Sequence, residues 1–268
     1  MKKQLRKILG AVLYVCLVAA VILAVEHFVP QPVVVGVIDT GISPHAIPYD
    51  HILVGENYVD SAKSNDDTDG QGTAVASVIL ATAPEAQLVP LVSIANDNGE
   101  IKQVDSATLA QMIVDAVDVY DCRIIHLGIG LMQDQQAVRN AVAYAEEKGV
   151  LVVTAAGSDY AMRGETVYYP AGYDSVLAVG SADAKGQEIS PFSQRGAWVD
   201  LYACGESVSV LTLDGAQSKG DGTSYSSAYV TAYAAQLLYE DKNLSAQQLR
   251  EMILAAAQTM PDGSKFLP

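Results

Sequence analysis

The chain has 268 residues, 50% of them hydrophobic and 18% charged, with 21 Gly, 10 Pro and three Cys. That is enough apolar material for one globular domain, and it excludes a disordered chain, a coiled coil and a disulfide-stapled miniprotein. The net charge of −15, from 31 acidic against 16 basic residues, argues against nucleic acid or broad adhesion to anionic lipid as partners.

The charge is unevenly spread. Lys2, Lys3, Arg6 and Lys7 are the only charges before Glu26, so the 12 remaining cations face all 31 acids and the body carries −19. Between tail and body, residues 8–25 (ILGAVLYVCLVAAVILAV) carry no charge. As a helix they would reach about 27 Å, close to the hydrocarbon thickness of a bilayer. The expectation is a transmembrane signal-anchor, with residues 1–7 as a cytoplasmic basic tail and the body extracytoplasmic. The alternative is a cleaved signal peptide ending near Ile22-Leu23-Ala24, which would release a secreted body. Residues 26–32 form a spacer kept extended by Pro30 and Pro32.

From residue 33 to 268 the pattern is that of one α/β domain, with short apolar runs alternating with amphipathic ones. Residues 33–38 (VVVGVI) read as a fully buried strand. Residues 88–94, 123–127, 150–155, 176–179 and 208–211 read the same way, although Pro90 is a misfit inside a central strand. Residues 60–69 (DSAKSNDDTD) are expected to be a solvated acidic loop. Helices are predicted over 106–119 and over 134–148, the latter closed by Lys148-Gly149. A further helix spans 246–257, opened by a capping box between Ser245 and Gln248. Cys122 and Cys204 stand in unrelated segments and are read as buried thiols rather than a disulfide, and no Cys/His spacing suggests a metal. No metal and no cofactor are expected.

In such a sheet, chemistry gathers at the carboxyl ends of the strands. The first strand runs into Asp39-Thr40-Gly41, the third into Gly128-Ile129-Gly130, the fourth into Ala155-Ala156-Gly157-Ser158. Two segments open helices, DGQGTAVAS at 69–77 and GTSYSSA at 222–228. A serine in the first turn of a helix has a favourable dipole for a developing negative oxygen. Each piece alone is weak. The VIDTG of 37–41 also occurs in pepsin-like proteases, but those need a second copy to share a proton, and here there is one.

Taken in order, VIDTGI (37–42), DGQGTAVAS (69–77), APEAQLVPLVSI (83–94), IIHLGIG (124–130), GVLVVTAAGSD (149–159), YYPAGYDSVLAVGSAD (168–183) and GTSYSSAYVTAYAAQLL (222–238) resemble the subtilase family of serine peptidases. The resemblance implies a subtilisin-like three-layer α/β sandwich with a mainly parallel sheet. It implies Asp39 as the triad aspartate position, Ser224 as the nucleophile position, and Gly128, Ile129 and Gly130 as substrate-binding backbone. It also implies departures. The triad histidine position is Gln71, the second histidine of the same motif is Ala74, and the oxyanion asparagine position is Ser158.

A primary amide is no base near neutral pH, so Ser224 has nothing there to take its proton. In subtilisin itself the loss of that histidine lowers turnover by about 10⁶, and loss of the oxyanion asparagine costs about 10²–10³. Two readings of Gln71 stay open: its amide bridges Asp39 and Ser224 as a static network, or it has drifted. His126, at the end of the third strand, is the one histidine placed to serve as a relocated base, but the favoured reading is a strand-end histidine hydrogen-bonded to backbone. The expected function is a membrane-anchored subtilase-fold pseudoprotease that binds a peptide or protein in its cleft. With −19 on the body that partner is cationic. The alternatives are an atypical active serine endopeptidase using Ser224, and a structural protein with an unused cleft.

Overall fold

The computed structural model describes residues 12, 14–18 and 31–268. Residues 12 and 14–18 are helical and exposed; the expected span at 8–25 otherwise lies outside the described residues. Among the described residues no helix is long and apolar enough to cross a membrane. One compact unit runs from Val33 to Pro268.

Its strands, in chain order, are β1 (Val34–Asp39), β2 (Glu56–Asn57), β3 (Gln87–Val92), β4 (Ile94–Asp97), β5 (Glu100–Gln103), β6 (Ile124–Leu127) and β7 (Leu151–Ala155). They continue with β8 (Leu177–Ala182), β9 (Leu201–Cys204), β10 (Val208–Leu211), β11 (Gln217–Gly220), β12 (Gln258–Thr259) and β13 (Lys265–Leu267). The helices are α1 (Gln71–Thr82), α2 (Ser106–Asp118), α3 (Gln136–Glu147), the single turn α4 (Tyr160–Arg163), α5 (Thr223–Glu240) and α6 (Ala246–Ala256). Nine strands form one sheet in the order β12-β13-β9-β8-β7-β6-β1-β3-β2, parallel except for the β12–β13 pair.

The period-two alternation of side chains sorts this sheet into two cores. Val35, Val37, Ile124 and Val153 turn to one face and pack with α1, α5 and α6. Ile38, Ile125, Leu127 and Val152 turn to the other and pack with α2 and α3. The result is three layers. Register then decides where the polar groups go. Val37 pairs with His126, so Asp39 and His126, two and zero residues further along, fall on the face covered by α1 and α5.

Several expectations shift. The run 208–211 is a strand, but not of the main sheet: it pairs antiparallel with β11. Only Val210 of it is buried, because V-S-V-L alternates and so offers one apolar face rather than two. The position in the sheet belongs instead to β9, whose LYAC sequence lacks a β-branched run. The run 88–94 breaks after Val92, and Ile94 starts a hairpin with β5 across Asn98-Gly99, both at positive φ.

Pro90 does sit in a strand with neighbours on both sides. Gln87 and Ser93 donate to the carbonyls of Val33 and Asp39, so by alternation the Pro90 nitrogen faces outward, away from β1, and no bond to β1 is lost. The Ser245–Gln248 capping box forms. The cysteines are free; Cys122 is buried, while Cys204 is only half-buried, short of the buried thiol expected.

Candidate active site

Three element ends converge around Asp39. The carboxyl end of β1 turns at Gly41, whose φ of 110° and contact with Asn65 O (2.7 Å from a Cβ built there) admit only glycine. The first turn of α1 closes onto this loop. Gly72 N donates to Thr40 Oγ1 at 2.8 Å, and Ser43 N donates to Thr73 Oγ1 at 3.0 Å. Gly72 must be bare as well, since a Cβ would stand 2.2 Å from Gly41 O.

Asp67 holds the arrangement. Its carboxylate accepts from the amides of Asp69, Gly70 and Thr73 and from the Thr73 hydroxyl. It is buried, and supplies the side-chain cap that Gly70, at the formal cap position, cannot. This overturns the reading of 60–69 as wholly solvated. Asp67 was missed by sequence reasoning, and the available signal was the Asp-x-Asp-Gly run directly before a helix.

Asp39 itself is 1% exposed. Its Oδ1 accepts from Thr40 N at 2.8 Å, while Oδ2 has no hydrogen-bond partner. Burial pushes its carboxyl up to about 7, against the Thr40 hydrogen bond, with Asp67 and Asp69 adding to the rise. Gln71 occupies the first position of α1 and is half-buried. No hydrogen bond joins its side chain to Asp39 or to Ser224, so the bridging amide network does not form.

Ser224 is half-buried at the second position of α5. The turn around it is heavily tied. Gly222 N donates to Gly205 O (2.9 Å), Ser226 Oγ donates to Ala203 O (3.1 Å), and Ser227 Oγ donates to Ser224 O (3.0 Å). Ser158 caps the helix, its Oγ accepting from Thr223 N at 3.0 Å and lying 2.9 Å from Thr223 Oγ1. The Ser158 oxygen is therefore tied to the first turn of α5.

His126 is not a relocated base. It is fully buried beneath α5, with Nε2 2.9 Å from Ser227 Oγ. Since Ser227 uses its proton on Ser224 O, the imidazole must donate from Nε2, which leaves Nδ1 as a bare lone pair. Nδ1 has no partner. Burial holds this ring well below the usual histidine range, at about 4, so it stays neutral.

Gly128, Ile129 and Gly130 form one wall of a cleft of ≈ 360 Å³, with Ala155, Gly157 and Ser158 also lining it, together with Ser224. Gly128 also abuts the Asp39 carboxylate. The cleft therefore brings Ser224 and Gly128 together, with Asp39 directly behind Gly128 and Gln71 on the adjoining turn. Asp159 lines it too. Burial works to raise that carboxyl, but hydrogen bonds from Tyr168 and Gln194 and the charge of Arg163 outweigh it and hold it below the usual range. No group of three or more metal-ligating side chains is found among the described residues.

Comparison with known proteins bears on the family and the fold. The profile of the Subtilase family matches residues 31–266. Subtilisin DY of Bacillus licheniformis is 30% identical over 240 residues, covering 85% of this chain and 84% of its own. The Minor extracellular protease Epr of Bacillus subtilis (strain 168) is 32% identical over 229 residues, 81% of this chain, which spans only 34% of Epr's length. Among solved structures, a cold adapted subtilisin-like serine proteinase superposes with a TM-score of 0.75 at 25% identity, covering 90% of this chain and 89% of its own.

Proposed function

The chain belongs to the subtilase family, and from that membership we propose a protein that binds peptide or protein segments in its subtilisin-like cleft without hydrolysing them. One observation carries the reading: at the first position of α1, where the family resemblance puts the triad base, the side chain is Gln71, and it makes no hydrogen bond to Asp39 or Ser224. An unactivated serine hydroxyl is a weak nucleophile. A carboxyl that burial raises to about 7 is only partly ionised near neutral pH, so it offers a weakened anion to stabilise a cationic base, even if a base were brought in. Ser158, at the oxyanion position, is engaged with Thr223.

What remains is a binding surface. Gly128–Gly130 presents bare backbone to an extended segment, and β5 has a strand partner on one side only. The −19 charge of the body favours a cationic segment. The same reading keeps residues 8–25 as the anchor that holds this domain outside the membrane.

The binding is tested by titrating a labelled basic peptide library against the wild type and a cleft-filled variant. Gly130→Trp is the suitable filler, because a Cβ there would meet only the Tyr168 ring, at 3.4 Å. Loss of peptide retention in Gly130→Trp supports the reading. Unchanged retention, or equal retention of acidic peptides, overturns it.

A further inference from the structure

A second cavity lies away from the cleft and shares no lining residue with it. It is larger, ≈ 570 Å³, and sits between the C-terminal half of α1, the β9–β10 connection with its flanking strand ends, α5 and β13. Its apolar walls include Val78, Val208, Tyr225, Tyr229, Phe266 and Leu267. A concave, aromatic-lined space of this size with few polar groups has the character of a small-molecule site.

The polar group that sets its chemistry is Glu206. This residue lines the cavity and is half-buried, and its carboxylate makes no hydrogen bond or ion pair among the described residues. A carboxylate partly withdrawn from water beside apolar walls, with no partner, is complementary to a cation carrying an apolar body. The tyrosine rings add a second attraction for the same charge, since an ammonium over an aromatic face is drawn to its quadrupole.

The loop that presents Glu206 is firmly placed. Ser207 follows it at φ 52°, with its N–H donated to Asp221 Oδ1 at 2.6 Å. Gly205 precedes it, wedged so closely that a Cβ would stand 2.3 Å from Ser226 Oγ. A site with walls of helix and strand and a rigid charged loop needs little reorganisation to bind. We propose that this cavity binds a small hydrophobic amine, its ring or alkyl body against Tyr229, Phe266 and Val208 and its ammonium group at Glu206. Tyr225, the residue after Ser224, is one wall, so an occupied cavity touches the same helical turn that carries the serine.

Cys204 provides the readout, because its half-buried thiol lines the cavity while Cys122 is buried elsewhere. The experiment measures N-ethylmaleimide alkylation of Cys204 in the full chain at neutral pH, site by site by mass spectrometry. The added probes are phenethylamine, 2-phenylethanol and 3-phenylpropionate. Calorimetric titration of the same three gives the affinity order independently of thiol reactivity. The expected result is about tenfold tighter binding of the amine than of the alcohol, no binding of the acid, and slowed alkylation in the same order.

Glu206→Gln, at a half-exposed loop position, should make amine and alcohol equal, and Val208→Trp should abolish binding of both. Equal affinity for all three probes overturns the proposal. So does absence of any binding by calorimetry, or an amine preference that persists in Glu206→Gln. None of these outcomes bears on the cleft, which is read by peptide retention alone.

Discussion

The Asp39 carboxylate fills the space that a side chain at Gly128 would need: a Cβ built on Gly128 stands 1.9 Å from Oδ2. Gly128→Ala must therefore displace the acid or the third strand's exit, an overpacking cost of about 1–3 kcal/mol. Gly130→Ala, two residues on, meets only an ordinary contact at Tyr168 and should stay within about 0.5 kcal/mol of the wild type. Urea unfolding of the two variants separates them, and equal midpoints would mean the Asp39 contact carries no constraint.

Asp39 and His126 give the stability opposite slopes with pH. Asp39 has its folded pKa raised from 3.8 to about 7, so between those values the unfolded chain releases a proton that the folded chain keeps. Stability is lost as pH rises through that window. His126 has its folded pKa lowered from 6.5 to about 4, so the unfolded chain gains a proton first and stability is lost as pH falls from 6.5 to 4. The two partly cancel in the wild type. Asp39→Asn should thus gain stability relative to the wild type as pH rises from 4 to 7, and thermal melts across that range read it directly. A pH-independent difference would show that Asp39 is ionised throughout.

Asp67 accepts four hydrogen bonds at the start of α1, two of them through Thr73. Asp67→Ala should cost about 2–3 kcal/mol, above a simple cap deletion because the acceptor is charged and buried. Asp67→Asn, which keeps an oxygen, should cost less. Chemical denaturation gives both numbers, and a loss below about 0.5 kcal/mol in the alanine variant would remove Asp67 from the account.

Restoring the base tests the second departure. Gln71→His alone should give little hydrolysis of a fluorogenic peptide, because the Ser158 oxygen is tied to Thr223 and a serine hydroxyl reaches less far toward an oxyanion than an asparagine amide. Adding Ser158→Asn should raise the rate at least about tenfold, an oxyanion donor being worth about 10²–10³. Equal rates for the single and double variants would mean that Ser158 is no obstacle.

Much of this was legible in the sequence for a physical reason. Strands buried on both faces, such as VVGVID and LVVTA, announce themselves by continuous apolar content. The motif series follows the same pattern: Asp39 stands at the end of β1, Ser158 just after β7, and Gln71 and Ser224 in the first turns of α1 and α5. What escaped was set by partners distant in sequence. Asp67 looked like one acid among several until α1 closed over it. The Ser227 partner of His126 lies on α5, far along the chain, and appears only once that helix covers the sheet. The strand at 201–204 carries LYAC, whose composition says nothing of the neighbours that bury it.

The central claim is that Ser224 has no base. Reaction of the intact protein with a fluorophosphonate probe at pH 8, followed by mass-spectrometric mapping of position 224, tests it most directly, with Gln71→His/Ser158→Asn as the positive control. Ser224 should stay unmodified in the wild type and be labelled in the double variant. Stoichiometric labelling of wild-type Ser224 would contradict it.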